Sequence, residues 1–309
     1  MTWFLCAVAA TLLWALVNHA DKYLLSSHGN GGHEGIGALM LFSTGIAALV
    51  LPILYLIRPD VILVDMADAL MLILVGLITA ASIYVYLTAL NEEDTSVVVI
   101  FFQLIPVIGY FLGWLILGET LTMGQIVASL IILAGTTIVA FEYEHDEGFS
   151  FKWKVVILMS LFALMTALSE VVFKDVALTQ EFIPSLFWNH VGLLCFGVGL
   201  SVFVPAYRHQ FSSMLRSNPI KIFSINMGSE VITIAGNVCF LYAMTLAPVA
   251  LVMLVGSFQS IFAFLLAVVF VVFFPRLGVK EKLTREHIVL KLGSILMVGA
   301  GSILLFFVS

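Results

Sequence analysis

Charge is what this 309-residue chain has least of: Asp, Glu, Lys and Arg make up 10% of it, against roughly 25% in an ordinary soluble domain. Apolar residues make up 62%, and the mean hydropathy is +1.15. A soluble fold of this size cannot keep that much apolar surface from water. Composition therefore excludes a cytosolic enzyme and a disordered chain. Basic residues are scarcest, 13 against 19 acidic ones, and no basic patch exists, so nucleic acid is not a partner. The three cysteines, Cys6, Cys195 and Cys239, are far apart and each lies in an apolar run. That is neither a disulfide framework nor a metal pattern, and it predicts small buried hydrophobes and no cofactor. H-E-x-x-H and G-x-S-x-G are also missing, which argues against an intramembrane enzyme.

What is present is apolar length. A bilayer core of about 30 Å takes about 20 apolar residues per helix. Ten such runs follow one another, at 3–26, 35–57, 67–90, 95–117, 121–141, 155–178, 182–206, 220–246, 248–274 and 286–308. The first carries no basic n-region and no small-residue cleavage site, so it is expected to be a membrane span and not a signal peptide. The connections at 142–154 and 207–219 are too short for an extramembrane domain. None of the runs has the strict alternation of a membrane β-strand. The expected fold is all-α, a polytopic bundle of ten transmembrane helices.

The chain also repeats itself. An offset of 156 aligns Tyr86–Gln103 with Tyr242–Gln259 without a gap, placing Tyr86 on Tyr242 and Phe102-Gln103 on Phe258-Gln259. Lys22 falls opposite Lys174, Asn18 opposite Glu170, and Glu119-Thr120-Leu121-Thr122 opposite Glu281-Lys282-Leu283-Thr284. Residues 1–145 and 150–309 read as two five-helix repeats. Because five is odd, the second enters the membrane inverted.

The stretch Phe111–Gly135, with Gly-Trp-Leu-Ile-Leu-Gly-Glu-Thr-Leu-Thr at 113–122, resembles the end of the fourth helix and the fifth helix of EamA-type transporters in the drug/metabolite transporter superfamily. The second half departs from that motif, with Pro275 to Lys280 inserted and the glycine before the glutamate lost. The resemblance implies secondary transport of small metabolites or amphipathic compounds, without naming one.

Ionisable side chains inside a bilayer are costly and are functional candidates by default. In the first run Trp14, Asn18 and Lys22 share a helix face, and in the sixth Thr166, Glu170 and Lys174 have the same spacing. The seventh holds Asn189-His190. The eighth carries Asn226, Glu230, Thr233 and Asn237, a stripe about 16 Å long at about 1.5 Å per residue. The matching positions of the third run are Leu70, Leu74, Leu77 and Ala81, so the scaffold does not demand that polarity. A water-filled cavity and interhelical hydrogen bonding both account for it. Counting from the nearest loop brings Asn18, Glu170, His190 and Glu230 near the midplane, with Gln103 and Gln259 close by, where transporters bind substrate.

Glu170 and Glu230 are thus expected to line a cavity, and one of them to exchange a proton in competition with substrate. The plainer reading pairs Glu170 with Lys174 one turn on. Trp14, Tyr86 and Tyr242 read as cavity wall or as core packing. Gln103 and Gln259 read as substrate contacts or as partners of each other. His19 and His190 read as proton relays or as satisfied hydrogen-bond partners. Gly109 and Gly113 permit close helix contact, and Pro106 predicts a distorted fourth helix.

Loops after odd-numbered runs hold nine Lys and Arg and those after even-numbered runs hold Arg58 alone. The positive-inside rule then puts both termini outside, whereas the resemblance puts them in the cytoplasm. The expected location is the cell (inner) membrane, multi-pass, as monomer or homodimer, with the lipid bilayer, a small-molecule substrate and protons as partners. A translocator of lipid- or polyprenyl-linked sugars, or a passive facilitator, is the competing function.

Overall fold

A computed structural model describes residues 2–28, 36–92, 98, 101–140, 153–217, 219–273 and 285–308, and for some helical residues, Lys22 and His19 among them, the backbone only. Glu281–Thr284 and most of the 142–154 connection lie outside the described residues. The helices are α1 (Thr2–His28), α2 (Ile36–Gly45), α3 (Ala47–Ile57), α4 (Met66–Glu92), α5 (Leu104–Leu117), α6 (Met123–Ala140), α7 (Trp153–Gln180), α8 (Phe182–Phe203), α9 (Pro205–Ser217), α10 (Pro219–Leu246), α11 (Val249–Gly256), α12 (Gln259–Phe273) and α13 (Arg285–Val308).

Among the described residues six helical stretches are long and apolar enough to cross a bilayer: Ile36–Ile57, Met66–Glu92, Trp153–Gln180, Phe182–Phe203, Phe223–Leu246 and Val249–Val269. Four shorter apolar helices are Thr2–Asn18, Phe101–Leu117, Met123–Ile138 and Leu292–Val308. Each occupies one of the ten expected runs. Leu56 (79% exposed), Leu296 (75%) and Phe307 (77%) point outward. In water such an apolar exterior would be a liability, and in lipid it is the solvated face. The chain is a polytopic, all-helical membrane protein.

Three runs differ from simple rods. The second is divided at Ile46 into α2 and α3. The ninth is divided at Ser257-Phe258 into α11 and α12. In the fourth, Phe101–Gln103 forms a tight 3-10 turn just before α5. Pro106 accounts for that turn, because its ring clashes with the carbonyl four residues earlier and it has no N–H to donate. The connection after the seventh run is not a loop: residues 205–217 form α9, which packs on α2, α8 and α10.

The main pairings are α1 against α10, α4 against α7 and α8, α5 against α7, α11 against α5, α12 against α1 and α6 against α13. Small residues make these contacts close, as membrane packing requires. Ala7 and Ala10 of α1 and Ala243 and Ala247 at α10 share one core with α11. At the α4–α8 crossing a Cβ on Gly76 would run into Asn189 O, and one on Gly192 into Ile73 O. Between α7 and α8 there is one residue, Glu181, with φ of +67°.

At one end of the bundle the connections are tied together. Arg58 bridges Asp60 (2.7 Å) and Glu181 (3.0 Å). Gln180 Nε2 donates to Asp68 Oδ2 (2.6 Å), and Trp188 Nε1 to Val61 O (2.8 Å).

Candidate functional site

The face of α7 that carries the expected polar residues begins with an aromatic group. Phe162 lies 5.5 Å from both Tyr86 of α4 and Phe102, which are themselves 5.7 Å apart. One turn on is Thr166 and the next is Glu170. Thr166 Oγ1 and Glu170 Oε2 are buried and have no hydrogen-bond partner. Glu170 as a whole is half-buried.

Lys174 completes the face and does not pair with Glu170. Its ammonium donates to Glu119 Oε1 and to Ala247 O (2.6 Å), and it is 4% exposed. Glu119 Oε2 accepts the Val249 N–H (2.8 Å). The glutamate is delivered by Gly118, whose φ of +66° ends α5 with a turn only glycine makes at no steric cost. Glu119 N–H then returns to Gly113 O (3.1 Å). The Gly-Glu-Thr segment thus clips the end of α5 to α7 and to the start of α11.

The α10 stripe is engaged by α1 and α2. Trp14 Nε1 donates to Asn237 Oδ1 (3.0 Å), and the Trp14 ring lies 4.8 Å from Phe240. A Cβ on Gly236 would press on the same indole. Ser43 Oγ donates to Glu230 Oε1. Asn226 is buried, and Thr233 Oγ1 bonds Ser229 O within its own helix (2.9 Å). Asn18 is half-buried one turn beyond Trp14.

The remaining candidates are dispersed. Gln103 is buried, and its Oε1 accepts from Thr136 Oγ1 of α6 (2.8 Å). Gln259 opens α12 and is half-buried. Tyr242 is 41% exposed and stands edge-on to Phe182 at 5.5 Å, away from Tyr86. His190 is buried with Nδ1 2.8 Å from Leu186 O, a carbonyl that only accepts, so Nδ1 carries the proton. Gly109 faces Met253, which confirms close contact between α5 and α11. Sequence reasoning missed Ser43, Thr136 and the role of Glu119; adjacent hydroxyls at Ser43-Thr44 inside an apolar run were the available signal. Among the described residues no three of His, Cys, Asp and Glu gather as a metal site.

The apolar exterior around a few enclosed polar side chains defines the class, a multi-pass membrane protein. Residues 1–141 match the model of the EamA-like transporter family. A crystal structure of another protein superposes on 98% of this chain and 95% of its own, with TM-score 0.66 at 16% identity, a likeness of fold. The sequence matches none of the curated proteins.

Proposed function

We propose that the protein is a secondary active exporter of small metabolites or amphipathic compounds in the cell membrane, built from two inverted five-helix repeats, 1–145 and 150–309. It works by alternating access, as a monomer or homodimer, with protons as the coupling ion. One observation supports this most: a main helix pairing and one helix break of the first half have counterparts in the second. The packing of α4 on α7 corresponds to that of α10 on α1. The break at Ser257-Phe258 corresponds, at the offset of 156, to Phe101–Gln103, although only the first half has a proline there. Two interchangeable halves around a central site are the architecture of alternating access.

In this reading Glu170 and Glu230 line the cavity and one exchanges the proton. Trp14, Asn18, Asn226 and Asn237 form the wall opposite α7, and Tyr86 belongs to its aromatic end. The clip through Glu119, Lys174 and Val249 closes the pathway at its end of the bundle. The test is a solute screen in proteoliposomes with and without a pH gradient. Coupled movement that Glu230→Gln or Glu170→Gln abolishes is the expected outcome. Movement of no solute under either condition overturns the reading, and full pH-driven transport by Glu230→Gln removes that residue from coupling.

A further inference from the structure

The face of α7 has a chemical direction. It starts at three rings, Tyr86, Phe102 and Phe162, passes a hydroxyl and ends at a carboxylate. From Phe162 to Glu170 the rise is about 12 Å at 1.5 Å per residue. The two polar atoms on that path, Thr166 Oγ1 and Glu170 Oε2, are the ones left without a partner. A buried carboxylate oxygen with nothing to accept from carries a desolvation cost that a bound donor relieves.

The nearest cation does not relieve it. Lys174 follows Glu170 by one turn, but its ammonium is taken by Glu119 Oε1 and Ala247 O. That pair is neutral, which leaves Glu170 as an unbalanced acid on this face. Among the described side chains it also leaves no cation on the face to receive an anionic group. The charge count therefore separates an amine from an amino acid.

We infer that Thr166 and Glu170, with the ring cluster beside Phe162, form a binding site for an organic amine with an apolar or aromatic body and no carboxylate. The ammonium donates to Glu170 Oε2 and to Thr166 Oγ1, and the body lies toward Tyr86, Phe102 and Phe162. This deepens the transporter reading by naming the substrate class of the same cavity, and it rests on that reading.

Binding to the full-length protein in lipid nanodiscs, measured by calorimetry without any gradient, separates the two. The probes are 2-phenylethylamine, L-phenylalanine, which adds a carboxylate, and 3-phenylpropionate, which replaces the amine with one. Saturable binding of 2-phenylethylamine is expected, with L-phenylalanine at least about tenfold weaker and 3-phenylpropionate not bound. Glu170→Gln should weaken the amine at least about tenfold and Thr166→Val by a few fold. Because both groups are unpartnered in the fold, neither change should lower the thermal midpoint of the empty protein, and a Thr166→Val effect stands if Glu170→Gln fails to fold. Equal binding of L-phenylalanine, no amine binding, or an unchanged affinity in both variants overturns the site. Transport of some other solute alongside absent amine binding would sink this inference alone, and amine binding without any transport would sink only the transporter reading.

Discussion

Lys174 reaches across to Glu119, 55 residues away in sequence, and not to Glu170 on its own helix. Both ends of the bond are completed: Ala247 O takes a second proton of the ammonium, and the Val249 N–H caps the other carboxylate oxygen. Replacing one partner strands a buried charge. Lys174→Met should cost about 3–5 kcal/mol of stability. Thermal unfolding in detergent checks this, and Lys174→Met with Glu119→Leu should recover much of the loss.

Trp14 contributes a ring and a donor separately. Trp14→Phe keeps packing against Phe240 and gives up the bond to Asn237, for an expected loss of about 1 kcal/mol. Trp14→Ala removes both, for about 3–5 kcal/mol. Equal midpoints for the two variants would show that the ring does not matter.

The α4–α8 crossing has no room for a methyl group. Gly76→Ala sets a Cβ against Asn189 O and should destabilise by about 1–3 kcal/mol or more. Gly199→Ala, where nothing lies within 4 Å, should be neutral or slightly stabilising. Monodispersity and melting of the two purified variants decide the point.

Outside the membrane, Arg58 holds the Asp60 carboxyl below its usual range, chiefly through their hydrogen bond. A depressed carboxyl adds stability above the ordinary aspartate value, and that contribution fades as pH falls through the lowered one. The pair is exposed, so the effect is small and screened by salt. Arg58→Gln should flatten the acid limb of the melting profile at low salt by lowering the neutral region slightly and leaving the most acidic region unchanged.

The spans were legible because the bilayer imposes a length of about 20 apolar residues that a reader can count. Helix α9 was not: its apolar positions, among them Phe211 and Met214 packed with Phe42, are interspersed with Arg208, His209 and Arg216, so it reads as a polar connection. The types of the site residues were legible and their partners were not. Glu170 and Lys174 stand at a spacing worth only about 0.2–0.5 kcal/mol on a helix, and Glu119 offers Lys174 a completed hydrogen-bond set instead. Asn237 was visible as polar, but only the approach of α1 over Gly236 brings Trp14 to it. Tyr86 and Tyr242 align in sequence and part in space, since one is enclosed by rings and the other faces outward.

The chain has a single residue, Glu181, in which to reverse direction between α7 and α8. A joint that short has no slack to absorb a swing of one helix past the other. The arm that carries Glu170 and the arm that carries His190 are thus joined as a tight hairpin, with α4 packed on both and closest at Gly76 and Gly192. On the other side of α8 the connection is long instead, and the thirteen residues of α9 separate it from α10.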